Sequence, residues 1–467
     1  MMKERVLIAN RGEIALRIME ACENLGLDYV VVYTQGDEQS LHVKLPQRKG
    51  KPCYRIASYR DANEILAVAD EARCTAIHPG YGFFSEDFRF ARRVVKRERS
   101  LVFIGPRWEV IRDLGHKLNV KKVAADLGIP IIPGTISPTY SELEAEAKAE
   151  ELFLWQEEQG IEAPRILIKA AAGGGGMGIE EVDDIDKVRP VFRRIRAYAK
   201  RTFGDEGVVI EVCIRDYHHL EVQILGNRHG ELVHFGTRNC TIQSVGHQKR
   251  IEVAPGFDPD YTTYPFDVQR VLQQIVDYSL KLASHVNYDS VGTWEWLITR
   301  DGKAFLMEVN TRIQVENEIS ARISRVRGKE PNLIQEQIRA AFGEKLGYSQ
   351  KDISFEGTSI EFRLIAEDTQ RGFRPLSGVI TRFEYPEYDW LRVRTHVPRD
   401  EHYRIPTEFD PNLALGIVWG KDTHEAEARG RRFLEEVVIE GHTAQGEPLK
   451  TNIPYLREKL PEILKFL

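Results

Sequence analysis

The sequence predicts an α/β protein of several lobes that opens on a doubly wound parallel sheet. Three observations carry this. Apolar β-like runs alternate with amphipathic helical runs over the first hundred residues. From about residue 115 the pattern shifts and strands come to dominate. The length of 467 residues, at about 150 residues per domain, leaves room for about three domains or one large enzyme built from lobes.

In the opening segment VLIAN, EIALRIMEACENLG, YVVVYT, ANEILAVADEA, TAIHPG and LVFIGP follow one another, and such alternation favours parallel strands with helices on both faces. The turn after the first strand, Asn10-Arg11-Gly12-Glu13, lacks G-x-G-x-x-G, which disfavours a dinucleotide site. A helix, KLNVKKVAADLG, and a Pro-containing turn lead to SELEAEAKAEELFLWQEEQG, read as a solvated acidic helix face. RILIKA, GIEEV, VVIEVCI, HHLEVQIL and LVHFGT read as strands and VQRVLQQIVDYSLKLASHV as a helix. GTWEWLIT and AFLMEVN are joined by RDGK, whose Asp-Gly is a hairpin signal. From about residue 355, TSIEFRLIAED, GVITRFEY, LRVRTH and the late helix HEAEARGRRFLEEVVIEG complete the chain. Without an internal repeat or a low-complexity linker, the parts are expected to pack as one body.

Charged residues are 29 % and hydrophobic ones 42 %, which excludes wholesale disorder. Sixty-five basic against seventy-one acidic residues leave a net charge of −6, unlike a protein that neutralises phosphates on nucleic acid. The five cysteines are scattered, with no C-x-x-C pair, so reduced thiols are expected rather than zinc or disulfides. No apolar stretch reaches a signal-peptide core or a membrane span. The cytosol is the expected compartment, with neither membrane nor nucleic acid as partner.

Three constellations carry chemistry. The run Gly173-Gly174-Gly175-Gly176 lies between two strands, with Lys169 upstream; its backbone N–H groups are suited to close on phosphate oxygens as a lid. In FLMEVNTRIQVENE, Glu308, Asn310, Arg312, Gln314 and Glu316 recur at every second position, which in an extended chain puts five functional groups on one groove wall. Glu-x-Asn sets two hard oxygen donors side by side for Mg²⁺. Glu295, between Trp294 and Trp296, lies on the strand that the hairpin brings beside Glu308, and converging carboxylates call for a cation. The third set is Gln243, His247 and Lys249, with His219 and Glu221 on a preceding strand; Glu361 and Arg363 share a face in SIEFRL.

ANRGEIALRI, HPGYGF, FIGP, KAAAGGGG, the HQK element, GTWEWL, MEVNTRIQVE and TNIPYL occur in this order, and together they resemble the biotin carboxylase family along nearly the whole chain. The resemblance implies an ATP-grasp fold: an N-terminal Rossmann-like domain over 1–114, an ATP-grasp domain over 115–350 with its lid at about 131–207, and a C-terminal biotin-carboxylase-type domain over 351–467. It implies ATP-dependent carboxylation of biotin on a carrier, with bicarbonate activated through carboxyphosphate. Lys117, Lys169, Gly174, Gly175, Gly176, Glu211, His219, Gln243, His247 and backbone at Ile214 would hold ATP. Glu295, Glu308 and Asn310 would hold Mg²⁺, with Mn²⁺ as the alternative metal. Arg312, Gln314 and Val315 would seat bicarbonate and Glu316 would take its proton, while Lys249 balances charge on the carboxyphosphate and Arg363 stabilises the ureido oxygen of biotin.

The chain departs from the family at Met177, Val212, Asn317-Glu318, the extra residue in SVGHQK and the basic stretch ARISRVRGKEPN, and it carries Glu20 and Asn24 where many members have a dimer contact. The other functions weighed are an ATP-grasp ligase for a different small acceptor and a nucleotide-binding subunit without turnover. With no Met-Lys-Met in the chain, the carrier and the carboxyltransferase are expected to be separate subunits, and a homodimer is an option. Arg322, Arg325, Arg327 and Lys329 are the expected contact for an acidic carrier.

Overall fold

The computed structural model describes residues 4–171, 178–244, 248–258 and 264–466. Strands β1 (Arg5–Ile8), β2 (Asp28–Tyr33), β3 (Cys53–Arg55), β4 (Ala76–His78) and β5 (Val102–Phe103) form an all-parallel sheet in the order β3-β2-β1-β4-β5. The doubly wound sheet read from the alternation is therefore present. Its strands are apolar on both sides because helices cover both faces. Val6, Ile8 and Val31 pack with Ile14 and Ile18 of the Gly12–Asn24 helix, while Leu7, Val30 and Ile77 pack with Ile65 and Phe90 on the other side.

The acidic stretch is a helix, Glu142–Glu158, but its acids are not merely solvated. Glu142 and Glu146 pair with Arg193 and Arg189 of the Val188–Phe203 helix, and Ala145, Ala149 and Leu152 are buried. Both helices lie against a small antiparallel sheet of β6 (Ile166–Ala170), β7 (Ile179–Val182) and β8 (Val208–Val212).

The body is an eight-stranded sheet. Its members include β9 (His218–Gly226), β10 (Leu232–Asn239), β13 (Ile251–Ala254), β14 (Val291–Ile298), β15 (Ala304–Asn310) and β18 (Thr358–Ile365). The order is β15-β14-β9-β10-β13-β18, continued by strands 412–420 and 391–395. Between these run the short β11 (Gln243–Ser244), β12 (Gln248–Lys249), β16 (Ser324–Val326) and β17 (Ile353–Phe355). The β14–β15 hairpin confirms the Asp-Gly signal, with Gly302 at φ +81° in the turn. Trp294 and Trp296 are fully buried beneath it, against Tyr288 and Tyr278, which turns Glu295 to the opposite face.

Candidate active site

A cavity of about 1580 Å³ runs between the small β6–β8 sheet, the eight-stranded sheet and the N-terminal lobe. One end of it is formed by the hairpin. Glu295 and Glu308 are register partners across β14 and β15, with a bulge directly after Glu295. Lys117 Nζ is 2.5 Å from Glu308 Oε2, so an ammonium already neutralises that carboxylate. Glu295 Oε1 accepts from Asn310 Nδ2 at 2.6 Å and Gln314 Nε2 at 3.0 Å. His219 bridges, with Nε2 2.9 Å from Glu295 Oε2 and Nδ1 2.9 Å from Gln243 Nε2. Burial pushes the Glu295 carboxyl up, but Lys249 and His219 outweigh it and hold it well below its usual range.

The nucleotide-sized end is lined by Ile132, Leu167, Lys169, Val212, Ile214, Leu297 and Met307. Glu211 is buried there between Lys169 and Lys121, and these ammoniums overcome the upward effect of burial to bring it down to about 2. Lys121 was not expected from sequence; its position on the Lys117–Asp126 helix, one turn beyond Lys117, is the available signal.

At the centre, Lys249 Nζ touches Glu221 and lies 2.9 Å from Glu316 Oε1 and 3.4 Å from Glu295 Oε1. Arg363 Nη2 is 3.2 Å from Glu316 Oε2. Burial raises the Glu316 carboxyl, but Lys249 and Arg363 more than reverse this and keep it ionised. Beneath lies Arg238, fully buried, donating to Glu221, Gln223, Ser320, Thr293 and Gln314. Sequence reading missed Arg238, although an arginine within a strand-like run, LVHFGTRN, is a usable sign.

The alternation read from 308 to 316 holds only in part. Strand geometry ends at Asn310, and Glu316 stands directly before the Asn317–Ile323 helix, its side chain turned to Lys249 and Arg363 rather than to the helix N–H groups. Arg312, Gln314 and Glu316 nevertheless line the same cavity, as do Met307 and Val315, which alternation would have sent to the opposite face. Separate anchors hold this irregular segment. Glu86 accepts from the Thr311 N–H at 3.1 Å and Arg312 Nε at 2.9 Å, and Arg17 Nη1 donates to the Val315 carbonyl at 3.2 Å.

Two residues past Glu316, Glu318 is buried among Arg17, Arg392 and Arg394. Glu20 pairs with Arg394 at 3.0 Å, so this position is engaged within the chain. In the basic stretch, three of the four charges expected to face a carrier have acids within the chain, and Lys329 is exposed. Arg322 is buried and pairs with Glu330, Arg325 pairs with Glu356, and Arg327 with Asp352, while β16 is hydrogen-bonded to β17. Gly174, Gly175, Gly176, Met177 and His247 lie outside the described residues.

A cleft that sets paired carboxylates beside a lysine-lined slot, roofed by a small sheet, defines an ATP-grasp protein. Family models match in sequence order: the biotin carboxylase N-terminal domain over residues 2–111, the carbamoyl-phosphate synthase L chain ATP-binding domain over 116–349, and the biotin carboxylase C-terminal domain over 361–462. The chain belongs to the biotin carboxylase family. It is 38 % identical to a biotin carboxylase of Nostoc sp. over 94 % of this chain and 92 % of that one. It is 36 % identical to a biotin carboxylase of Halalkalibacterium halodurans over 98 % and 94 %. Its fold matches the biotin carboxylase domain dimer of Hydrogenobacter thermophilus 2-oxoglutarate carboxylase, solved with MgADP, ADP and bicarbonate, with TM-score 0.86, 33 % identity and coverage of 100 % and 96 %. Among the described residues no helix is long and apolar enough to cross a membrane.

Proposed function

We propose that this chain is the biotin carboxylase subunit of a multi-subunit carboxylase, using ATP and bicarbonate to carboxylate biotin on a separate carrier protein. The observation that carries this reading is the Lys249–Glu316–Arg363 chain placed in one cavity with the Glu295–Glu308 pair. The lobes assigned above to 1–114, 115–350 and 351–467 are part of the proposal, supported by the ranges that the family models match.

Glu295, Glu308 and Asn310 suit Mg²⁺ or Mn²⁺, since they are hard oxygen donors on adjacent strands and Glu308 is already balanced by an ammonium. The metal supplies charge neutralisation on the ATP phosphates. Lys169, Glu211, His219, Gln243 and backbone at Ile214 hold the nucleotide, with Lys117 free to move from Glu308 to phosphate. Arg312, Gln314 and the Val315 backbone orient bicarbonate. Glu316 takes its proton as the bicarbonate oxygen attacks the γ-phosphorus and ADP leaves, and Lys249 balances the charge that gathers there. The carboxyphosphate breaks into CO₂ and phosphate. Phosphate accepts the ureido N–H proton of biotin, Arg363 holds the resulting oxyanion, and the nitrogen takes up CO₂.

The partners in this reading are a biotinylated carrier, a carboxyltransferase subunit and a second copy of the chain. A homodimer is supported by the dimeric relative. Cytosolic placement is supported by five unpaired cysteines. The test is ATP cleavage with and without bicarbonate and free biotin. Bicarbonate-dependent cleavage that yields carboxybiotin is expected; cleavage that never carboxylates biotin overturns the acceptor.

A further inference from the structure

Arg363 is held by more than Glu316. Glu361, two residues before it on β18, and Glu252 on β13 are direct register partners across the sheet. Both are fully buried. Neither oxygen of either carboxyl has a hydrogen bond among the described residues. Glu252 touches Arg363 Nη2 as an ion pair without hydrogen-bond geometry, and Glu361 Oε1 lies 4.0 Å from Arg363 Nε. One guanidinium is thus wedged against two opposed acids that have no hydrogen-bond partner among the described residues.

The charge balance around them is lopsided. The groups facing the pair are Arg363 on β18, Lys249 on β12, Glu221 on β9, the buried thiol of Cys240 just after β10, Glu316 ahead of the 317–323 helix and Arg17 on the 12–24 helix. Arg17 is itself engaged by Glu13 and Glu318. With Arg238 completing the cluster, Lys249, Arg238 and Arg363 face Glu221, Glu252, Glu316 and Glu361, one acid more than bases, while Glu295 beside them has His219 as its own partner. Opposed buried carboxyls repel unless a proton sits between them, and they then titrate as a pair.

We propose that Glu252 and Glu361 share one proton and act together as a positioning dyad for Arg363, so that carboxyl transfer falls when the dyad loses that proton. This rests on the reading of Arg363 as the residue that stabilises the ureido oxyanion. With the proton in place, the dyad presents a single negative charge to the guanidinium. Its loss adds a second negative charge, which draws Arg363 back and cancels the field that the oxyanion needs. Burial moves both carboxyls in the required direction. Glu252 is raised to about 7 despite Arg363, and Glu361 is raised well above its ordinary value by burial and by the charge of Glu252.

The sign for stability follows. A carboxyl raised on folding contributes fully below its unfolded value near 4.5 and progressively loses that contribution as the pH climbs through the folded value near 7. Glu361→Gln keeps the shape of the acid and removes its titration. The test measures biotin carboxylation and bicarbonate-dependent ATP cleavage from pH 6 to 9, together with the urea midpoint from pH 5 to 8, for the full chain and this variant. The expected result is a wild-type alkaline fall in carboxylation that the variant moves up by about one pH unit or more, and a wild-type urea midpoint that drops with pH more steeply than the variant's. Superimposable profiles in both measurements overturn the dyad while leaving the biotin carboxylase reading intact. Wild-type protein that carboxylates no biotin at any pH removes that reading instead, and the urea arm still decides whether the dyad holds a proton. Glu252→Gln adds a second readout, because it removes the dyad's ion-pair partner of Arg363. It is expected to lower carboxylation more than ATP cleavage, and equal loss in both counts against the dyad.

Discussion

Glu308 and Glu295 stand opposite each other across the hairpin but are held differently. Glu308 meets the largely exposed Lys117 at 2.5 Å, whereas Glu295 is enclosed by Asn310, Gln314, His219 and Lys249. Glu308→Gln therefore costs little folding stability, because an exposed ion pair contributes little. It lowers turnover by about 10²-fold or more, the scale of removing one preorganised charged group from an active site. Glu295→Gln lowers turnover and stability together, since it leaves Lys249 short of a buried partner. Steady-state ATP cleavage and urea denaturation of both variants check this; near-normal cleavage by Glu308→Gln would remove it from the metal site.

A second expectation concerns pH. Glu316 is held ionised because Lys249 and Arg363 outweigh burial, and a carboxyl so depressed protonates only as the pH falls below its usual range. The acid limb of kcat/KM for bicarbonate in the wild-type protein is thus not set by Glu316 above about pH 5. Lys249→Gln removes the largest downward pull, and the Glu316 limb moves upward into the measurable range. Profiles with bicarbonate concentration corrected at each pH test this; an unmoved limb would detach Lys249 from the base.

Much of this was legible in sequence, for identifiable reasons. Alternation between strands and helices gave the parallel sheet because both faces must be covered, and the Asp-Gly turn set Glu295 against Glu308 because hairpin register follows from loop length. What periodicity could not show was the segment after Asn310. There the path is fixed by contacts from remote parts of the chain, Glu86 to Arg312 and Arg17 to Val315. The pairing within the basic stretch was hidden for the same reason, since the acids that meet Arg325 and Arg327, Glu356 and Asp352, lie across a fold that local charge patterning does not see.

Glu318 joins the Gly12–Asn24 helix to the strand at 391–395, two residues past Glu316. Burial works against its charge, but Arg394 and Arg17 bring it down to about 2. Its contribution is present above about pH 4.5 and is lost as the pH falls towards 2. Glu318→Ala leaves Arg17 with Glu13 alone, while Arg394 keeps Glu20 and Arg392 keeps Glu330. The expected loss is about 3 kcal/mol, the low end for breaking a buried pair. Because Arg17 also holds the Val315 carbonyl, the KM for bicarbonate rises more than that for ATP. A variant with both KM values unchanged would confine Glu318 to stability.

In the proposed mechanism the two half-reactions separate at Arg363. The ureido oxygen carries charge only in the second, so Arg363→Ser impairs carboxyl transfer more than bicarbonate-dependent ATP cleavage, whereas Glu316→Ala impairs both. Product analysis of carboxybiotin against released phosphate distinguishes them, and equal losses for Arg363→Ser would argue against an oxyanion role.

The paired charges of the basic stretch make a final prediction that reverses the sequence expectation. Arg322 is buried with Glu330, which also binds Arg392, so Arg322→Ala leaves a partly buried carboxylate with one cation fewer and removes the stem that packs there. Arg325 and Arg327 have their acids on the neighbouring β17 segment and at Asp352, with more solvent around them, and pairs of that kind contribute about 1 kcal/mol or less. Replacing both with Gln is therefore expected to leave the acceptor KM within about twofold, since charges already matched within the chain offer little net field to a carrier. Arg322→Ala is expected to lower the urea midpoint instead. Titrating carboxylation against carrier concentration for the Arg325, Arg327 double variant decides the matter: a several-fold rise in acceptor KM with stability intact would return the stretch to carrier binding.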